Sequence, residues 1–169
     1  MIVPQVYRKK ALLNILWVGL LVGTLDALAA LLLNYNVQPG VIFRFIASAV
    51  FAKDAFAGGP VMIVAGVLFH YLIAYLFTTA FYLLYPFAFS VFKNKYVVAN
   101  VYGGIAWLIM NVIVVPLSKI GPHAIDPLTA VTGVLALIIC VGLPVALLAD
   151  KRLRKIVNYA GVRRKPKVV

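Results

Sequence analysis

The sequence predicts an all-α integral membrane protein, a bundle of four spanning helices with an additional interfacial amphipathic helix between the first two spans. Three observations predict it. Of the 169 residues, 64% are hydrophobic and only 12% are charged, whereas soluble domains are about half apolar and about a quarter charged. The charges also cluster between four long apolar runs. Because a water-soluble core could not use this much apolar surface, the excess is expected to face lipid.

Four segments are long and apolar enough to cross a bilayer core, which takes about 20 helical residues. Helices are expected because backbone groups in lipid must be hydrogen-bonded within their own segment. Pro86 is predicted to end the second segment, and Pro144 should kink or locally unwind the fourth. The segments form one domain, residues 1–150, followed by a basic cytoplasmic tail at 151–169, and they cover residues 11–33, 61–85, 97–115 and 128–149.

Residues 41–56, between the first two segments, are too few and too charged to span. Their apolar residues recur at helical spacing and their polar residues lie elsewhere around the turn: Phe43, Ile46, Val50 and Phe51 against Arg44, Ser48 and Lys53. This pattern predicts an amphipathic helix lying in the outer interface. A re-entrant segment is the alternative, and it would require burial within the protein.

The basic residues predict the orientation. Thirteen of the 16 lie in the amino-terminal segment, the loop between the second and third spans, and the carboxy-terminal tail, and three lie in the two opposite loops. Since cytoplasmic loops carry the excess of Lys and Arg, both termini are predicted to be cytoplasmic. Eight basic residues follow the last span directly, which makes anionic lipid headgroups their expected partner rather than nucleic acid.

The polar residues within the spans are the candidate functional residues, because each is costly in lipid unless it has a partner. Asp26 is the only acidic residue, and His70 the only histidine, inside a predicted span. At 1.5 Å per residue, both lie about 12–15 Å below the outer interface, and Asn111 is slightly shallower. We therefore predict one polar layer of Asp26, His70 and Asn111. Secondary polar positions are Thr78, Asn100 and Asp54.

Each span also carries small and polar residues on one helical face, which would let the four helices pack closely around a shared interior. A homo-oligomer assembled through such faces is also possible. In chain order, the four faces are Gly19, Gly23, Asp26 and Ala30; Gly66, His70, Ala74 and Thr78; Asn100, Gly104, Trp107 and Asn111; and Thr129, Gly133, Ala136 and Cys140.

Two functions fit the polar layer. Asp26 and His70 could form a proton-titrating pair in direct contact that lines a pathway, with Asn111 orienting a ligand or water, as in a small transport-related or permeation protein. Alternatively, they could form a structural pair that fixes helix register in a non-catalytic scaffold or assembly protein. No recognisable nucleophile–base arrangement, glycine-rich phosphate loop or metal-ligand spacing accompanies the single cysteine, Cys140. A membrane enzyme is therefore the third alternative, and no metal or cofactor is expected.

Four strings of the sequence carry a family resemblance: GTLDALAALL, RFIASAVFAKDAFAGG, LFHYLIAYLFTTAFYLLYP and NVIVVPLSKIGP. They resemble a group of small bacterial membrane proteins and, more loosely, the YagU-like inner-membrane proteins, a family with no established activity. The resemblance runs from about Gly19 to Lys151. It implies a bacterial inner-membrane location and four spans, with Asp26, His70, Asn111 and residues 54–59 as recurring features. The looser pattern has a histidine in its last span, where this chain has none, which puts a two-histidine site in doubt.

Overall fold

The computed structural model describes residues 5–122 and 124–164, and it describes side chains over residues 13–122 and 124–155. Every element in these ranges is helical. The α-helices are α1 (Gln5–Leu33), α2 (Pro39–Phe51), α3 (Asp54–Ala57), α4 (Gly59–Phe92), α5 (Lys95–Leu108), α6 (Val115–Leu117), α7 (Pro127–Leu137) and α8 (Leu143–Arg164). Two π-helical segments complete the third and fourth spans: π1 (Ile109–Val114) and π2 (Ile138–Gly142).

Four stretches have the length and apolar composition needed to cross a membrane, which confirms the all-α bundle and agrees with a multi-pass membrane protein. Much of their outer surface is aliphatic: Leu32, Leu83 and Leu128 are 74%, 75% and 73% exposed. In a bilayer, such side chains would face lipid tails. The stretches are Leu13–Leu33, Gly59–Phe92, Lys95–Leu117 and Pro127–Lys155.

Helix α4 continues through Pro86 to Phe92, so the prediction that Pro86 ends it is wrong. A proline inside a helix removes one backbone hydrogen bond and costs about 3 kcal/mol. The extra turns offset this cost because Ala88 and Phe89 pack against the buried core. Lys93 then ends the helix in a left-handed conformation, with φ of 55°.

The two π-helical segments lie just before prolines, π1 before Pro116 and π2 before Pro144. In π2, the Leu143 N–H donates to the Ile138 carbonyl, five residues back. In π1, Val115 N–H donates to Met110 in the same way. Since proline cannot donate the regular four-residue bond, the wider turn restores backbone pairing nearby. The expected disturbance at Pro144 therefore takes the form of a π segment.

The additional helix between the first two spans is present as α2, and it packs directly on α4. Gly66 of α4 lies against the Phe43 backbone, and an added Cβ at Gly66 would collide with that carbonyl. In α2, Ala47 and Ser48 are buried, whereas the apolar residues Val41, Phe45 and Val50 are exposed. Phe43 and Ile46 also face inward, toward His70 and the cavity beside it. The helix is therefore apolar on both sides, with Ser48 inside, which differs from a helix resting on the membrane surface.

Helices α1, α4, α5 and α8 form a dry, apolar core at one end of the bundle. This is the end where α1 begins and α8 ends, and it is here called the termini end. Phe81 and Tyr85 are the largest members of the core, with the valines Val18, Val22, Val98, Val141 and Val145 and the alanines Ala99, Ala146 and Ala149 around them. Gly142 of π2 lies against the Ala99 carbonyl, and Gly103 lies against the Ile138 backbone. These close approaches pack the third span against the fourth.

The buried face of the third span is shifted by one residue from the predicted face. Ala99, Gly103 and Ala106 are buried, whereas Asn100 is exposed and an added Cβ at Gly104 would meet nothing within 4 Å. The predicted face and the true one differ by about 100° around the helix, so two small-residue stripes compete in the sequence. Contact with Gly142 and Ile138 selects the second.

Candidate functional site

Asp26 lies where two cavities of the bundle meet. The central cavity, of about 100 Å³, is lined by Asp26 and His70 with Ile46 of α2, Phe77 of α4 and Val141 of π2 among its walls. The vestibule, of about 330 Å³, shares Asp26. It extends to Asn34 at the end of α1 and Thr129 at the start of α7, both exposed. Asp26 can therefore be reached from the end of the bundle opposite the termini.

His70 is held by the backbone of α1. Its Nε2 lies 2.7 Å from the Gly23 carbonyl oxygen. A carbonyl only accepts hydrogen bonds, so Nε2 carries the proton and donates. Phe43 of α2 packs edge-on against the imidazole, with 6.5 Å between ring centroids. His70 is thus a buried contact point of three helices, α1, α2 and α4.

Further polar contacts tie α1 to α4 on either side of His70. The hydroxyls of Tyr71 and Thr24 are 2.9 Å apart, and Tyr75 donates to the Leu16 carbonyl over 3.1 Å. Gly23 permits this approach, because an added Cβ would lie 2.8 Å from the Tyr71 ring. The predicted glycine face of α1 therefore packs within the chain, and His70 belongs to the set of bonds that fixes this interface.

The predicted direct contact between Asp26 and His70 is not formed as a hydrogen bond or ion pair. His70 Nε2 donates to Gly23 instead, and the ion pair within the described side chains joins two other residues, Asp150 and Arg154. Asp26 itself is half-buried, and its carboxylate has no hydrogen-bonded partner among the side chains that the structure describes. The two residues share a cavity, but only the histidine is held in place by a bond.

Asn111 faces the vestibule together with Asp26. It lies in π1, where its Nδ2 donates to the Trp107 carbonyl over 3.0 Å. This bond leaves the amide oxygen of Asn111 available for another donor. Thr132, whose hydroxyl donates to the Leu128 carbonyl, lines the same space. The predicted layer is therefore divided: Asp26 and His70 share the central cavity, and Asp26 and Asn111 share the vestibule.

The three secondary polar positions line neither cavity. Thr78 is fully buried, and its hydroxyl has no hydrogen-bond partner among the described residues. Asn100 is exposed and donates to the Tyr96 carbonyl. Asp54 is exposed in the first turn of α3. None of them contributes to the surroundings of Asp26.

The central cavity is closed toward the termini end. Val22 and Val141 line the cavity and also belong to the dry core beneath it. Phe81 and Tyr85 fill that core and are 1% and 2% exposed. Access to Asp26 is therefore one-sided in this conformation.

A second buried carboxylate, Asp150, was not singled out from the sequence. It is 4% exposed, and its Oδ2 accepts from Arg154 Nε over 2.9 Å. Its Oδ1 has no hydrogen-bond partner among the described residues and lies near the Tyr85 hydroxyl. The sequence did carry a signal, because an aspartate four residues before an arginine is a common helical ion pair.

Other acidic groups do not add a metal site. The described residues contain no group of three or more His, Cys, Asp or Glu side chains that could hold a metal ion. Asp126 caps α7 by accepting from the Thr129 backbone N–H over 3.0 Å. Hydrogen bonds from Thr129 lower the pKa of the Asp126 carboxyl below its usual value, so this loop residue is anionic at neutral pH.

Comparisons with known protein families, with curated proteins and with solved structures gave no match for this chain. The resemblance to YagU-like proteins therefore stays a prediction.

Proposed function

We propose that this chain is a small transport-related or permeation protein of the bacterial inner membrane, in which Asp26 takes up a proton or a small cation. The observation that carries this proposal is the position of the Asp26 carboxylate between the vestibule and the central cavity, with no bonded partner among the described side chains. An ionisable residue within a membrane span typically marks an ion or proton pathway.

The vestibule supplies the ligands that such a cation would need. Asn111 and Thr129 line the same space as Asp26 and carry side-chain oxygen atoms. Carboxylate, amide and hydroxyl oxygens can replace part of the hydration shell of a hydronium ion or a small cation. With both termini in the cytoplasm, as the basic residues favour, the vestibule would open to the outer aqueous side.

Because the dry core closes the termini end, the proposed activity is a gated passage rather than an open pore. Passage would require the packing around Phe81 and Val141 to loosen. Segment π2 contains Val141 and so lies at this closure, and π-helical segments are frequent at functional sites. We place the gate between the central cavity and the core.

Ion flux into vesicles tests the proposal. Purified protein would be reconstituted into liposomes that enclose a pH-sensitive dye, and a pH or potassium gradient would be imposed. We expect a protein-dependent signal that Asp26→Asn abolishes. The matched control is Asp54→Asn, which also removes one carboxylate but lies on exposed α3, and it should keep the signal. Equal flux with the wild-type protein, Asp26→Asn and empty liposomes would refute the proposal.

A scaffold that assembles through its small-residue faces is less well supported. Gly23 packs against Tyr71, Gly66 against α2, and Gly142 against Ala99, all within one chain. These surfaces are therefore not free for a partner helix. The surface around Asn100 and Gly104 is open, and it is the surface that a homo-oligomer would use.

A further inference from the structure

A groove that the polar layer does not explain lies between α1 and the fourth span, with a volume of about 620 Å³. This volume falls in the range of about 300–1,000 Å³ typical of ligand sites. One wall is α1, which contributes Trp17, Leu20 and Leu21, and Tyr82 of α4 lies at its base. We call it the basic groove, because Lys151, Arg152 and Lys155 line its end.

The charge of the basic groove is uncompensated. The chain has four acidic side chains, and none of them lines the groove. Asp150 is the nearest along the sequence, and it pairs with Arg154 on another side of α8. Three positive charges therefore converge on one end of an otherwise largely apolar cavity, which favours an anion attached to an apolar body.

Arg152 is oriented within the groove by an aromatic ring. Its guanidinium carbon lies 5.9 Å from the centroid of the Tyr82 ring, a distance typical of a cation–π contact. Such a contact leaves N–H groups at the edge of the guanidinium plane free to donate hydrogen bonds. A guanidinium binds phosphate in a bidentate manner, while the lysines act as mobile point charges.

The length of the groove matches one leaflet of a bilayer. Along α1 it extends from Asn14 to Thr24, which at 1.5 Å per residue is about 15 Å. Half of a hydrocarbon core about 30 Å thick is the same distance. The cations lie at the termini end, where the headgroups of that leaflet would be. Trp17, 67% exposed, lies on the wall near this end.

We propose that the basic groove binds one anionic phospholipid from the leaflet at the termini end. The phosphate would be held by Lys151, Arg152 and Lys155, and one acyl chain would lie along Leu20 and Leu21. Basic pockets between spanning helices on the cytoplasmic side are a known mode of anionic lipid recognition. This inference does not depend on the proposed function, because no residue of the groove lines the central cavity or the vestibule.

Native mass spectrometry of the full chain in detergent tests the inference, with phosphatidylglycerol and phosphatidylcholine of identical acyl chains as probes. We expect one tightly bound phosphatidylglycerol per chain and much weaker phosphatidylcholine binding. The double variant Lys151→Gln/Lys155→Gln should weaken phosphatidylglycerol binding about 25-fold, from about a factor of five for each cation near a membrane surface. Its control, Lys93→Gln/Lys95→Gln, removes two charges from the adjacent loop and should have little effect.

A second variant separates shape from charge. Leu21→Trp fills the apolar wall and keeps all three cations, so it should also weaken lipid binding while circular dichroism shows an intact helical fold. Equal weakening by both lysine pairs would show non-specific charge attraction and overturn the proposal. Displacement of the lipid by soluble glycerol phosphate at equal concentration would show a free-anion site, and Leu21→Trp binding lipid as the wild type does would show that the groove is not the site.

Discussion

Single side chains decide how α1 meets α4 and which polar group is left free. His70 donates to the Gly23 carbonyl, Tyr71 shares a hydrogen bond with Thr24, and both bonds lie in the helix interface. Asp26, one turn further along α1, has no such bond among the described side chains. The histidine thus stabilises the bundle, while the carboxylate is available to bind a proton or a small cation that enters the vestibule.

Stability measurements should separate these two roles. His70→Leu removes a buried hydrogen bond across the interface of α1 and α4, which should lower the free energy of unfolding by about 1 kcal/mol. Asp26→Asn removes a charge with no bonded partner and should change stability less. Both values can be measured by thermal or denaturant unfolding in detergent. A larger loss for Asp26→Asn than for His70→Leu would show that Asp26 is the structural residue of the two.

The sequence predicted the residues of the polar layer but not their bonds. Composition made Asp26, His70 and Asn111 conspicuous, and the 1.5 Å rise per residue placed them at similar depth. The partner of His70 is a main-chain oxygen, which has no signature in the side-chain pattern. Asp150 was missed because it lies at the border between the apolar span and the basic tail, where a charged residue is expected to be solvated.

At the scale of helices, short elements shape the two cavities. Ile46 of α2 lines the central cavity, and the Lys119 N–H donates to the Ala49 carbonyl of α2, which ties α2 to the loop after α6. Residue Met110 of π1 borders both cavities. Helix α2 therefore covers part of the polar layer instead of lying apart on the surface. Its Ser48 faces inward and its Phe45 faces outward, an arrangement that suits lipid contact.

The crossing of α2 over α4 should depend on one glycine. In Gly66→Ala, the new methyl group would collide with the Phe43 backbone, so α2 must shift and stability should fall by about 1–3 kcal/mol. Gly104→Ala is the matched control, because its methyl group would meet nothing within 4 Å and alanine favours helix. Unfolding in detergent measures both. Equal melting temperatures for the two variants would mean that α2 is not held against α4.

Across the whole molecule, the two cavities around Asp26 lie toward one end of the bundle, and the apolar core of Phe81, Tyr85 and their neighbours lies toward the other. At the termini end, the buried carboxylate of Asp150 pairs with Arg154 near Tyr85. The basic groove shares no residue with the two cavities. In the proposed passage, the half around Asp26 would bind the ion and the packed half would form the gate.

The fold could be predicted from the sequence because apolar length alone selects the helices in a membrane. Their packing was harder to predict, because lipid-facing and buried positions are both apolar and the stripes differ by a single residue, as Ala99 and Asn100 show. The course of α4 through Pro86 was missed for a similar reason. The local rule for proline is overridden when the following turn, with Phe89, packs against the core.

The direction of access to Asp26 is the property of the whole molecule that is most readily tested. The predicted cytoplasmic location of both termini would place the opening of the vestibule on the outer side and the core on the inner side. In a Cys140→Ala background, Thr132→Cys places a thiol in the vestibule, and Ala146→Cys places one in the core, where the native residue is 1% exposed. An impermeant charged thiol reagent added to intact cells should modify Thr132→Cys and leave Ala146→Cys unmodified. Mass spectrometry of the purified variants measures both.

If Thr132→Cys reacted only after the membrane was opened, the vestibule would face the cytoplasm and the orientation would be reversed. If Ala146→Cys reacted as fast, the termini end would not be closed, and the passage would be an open pore.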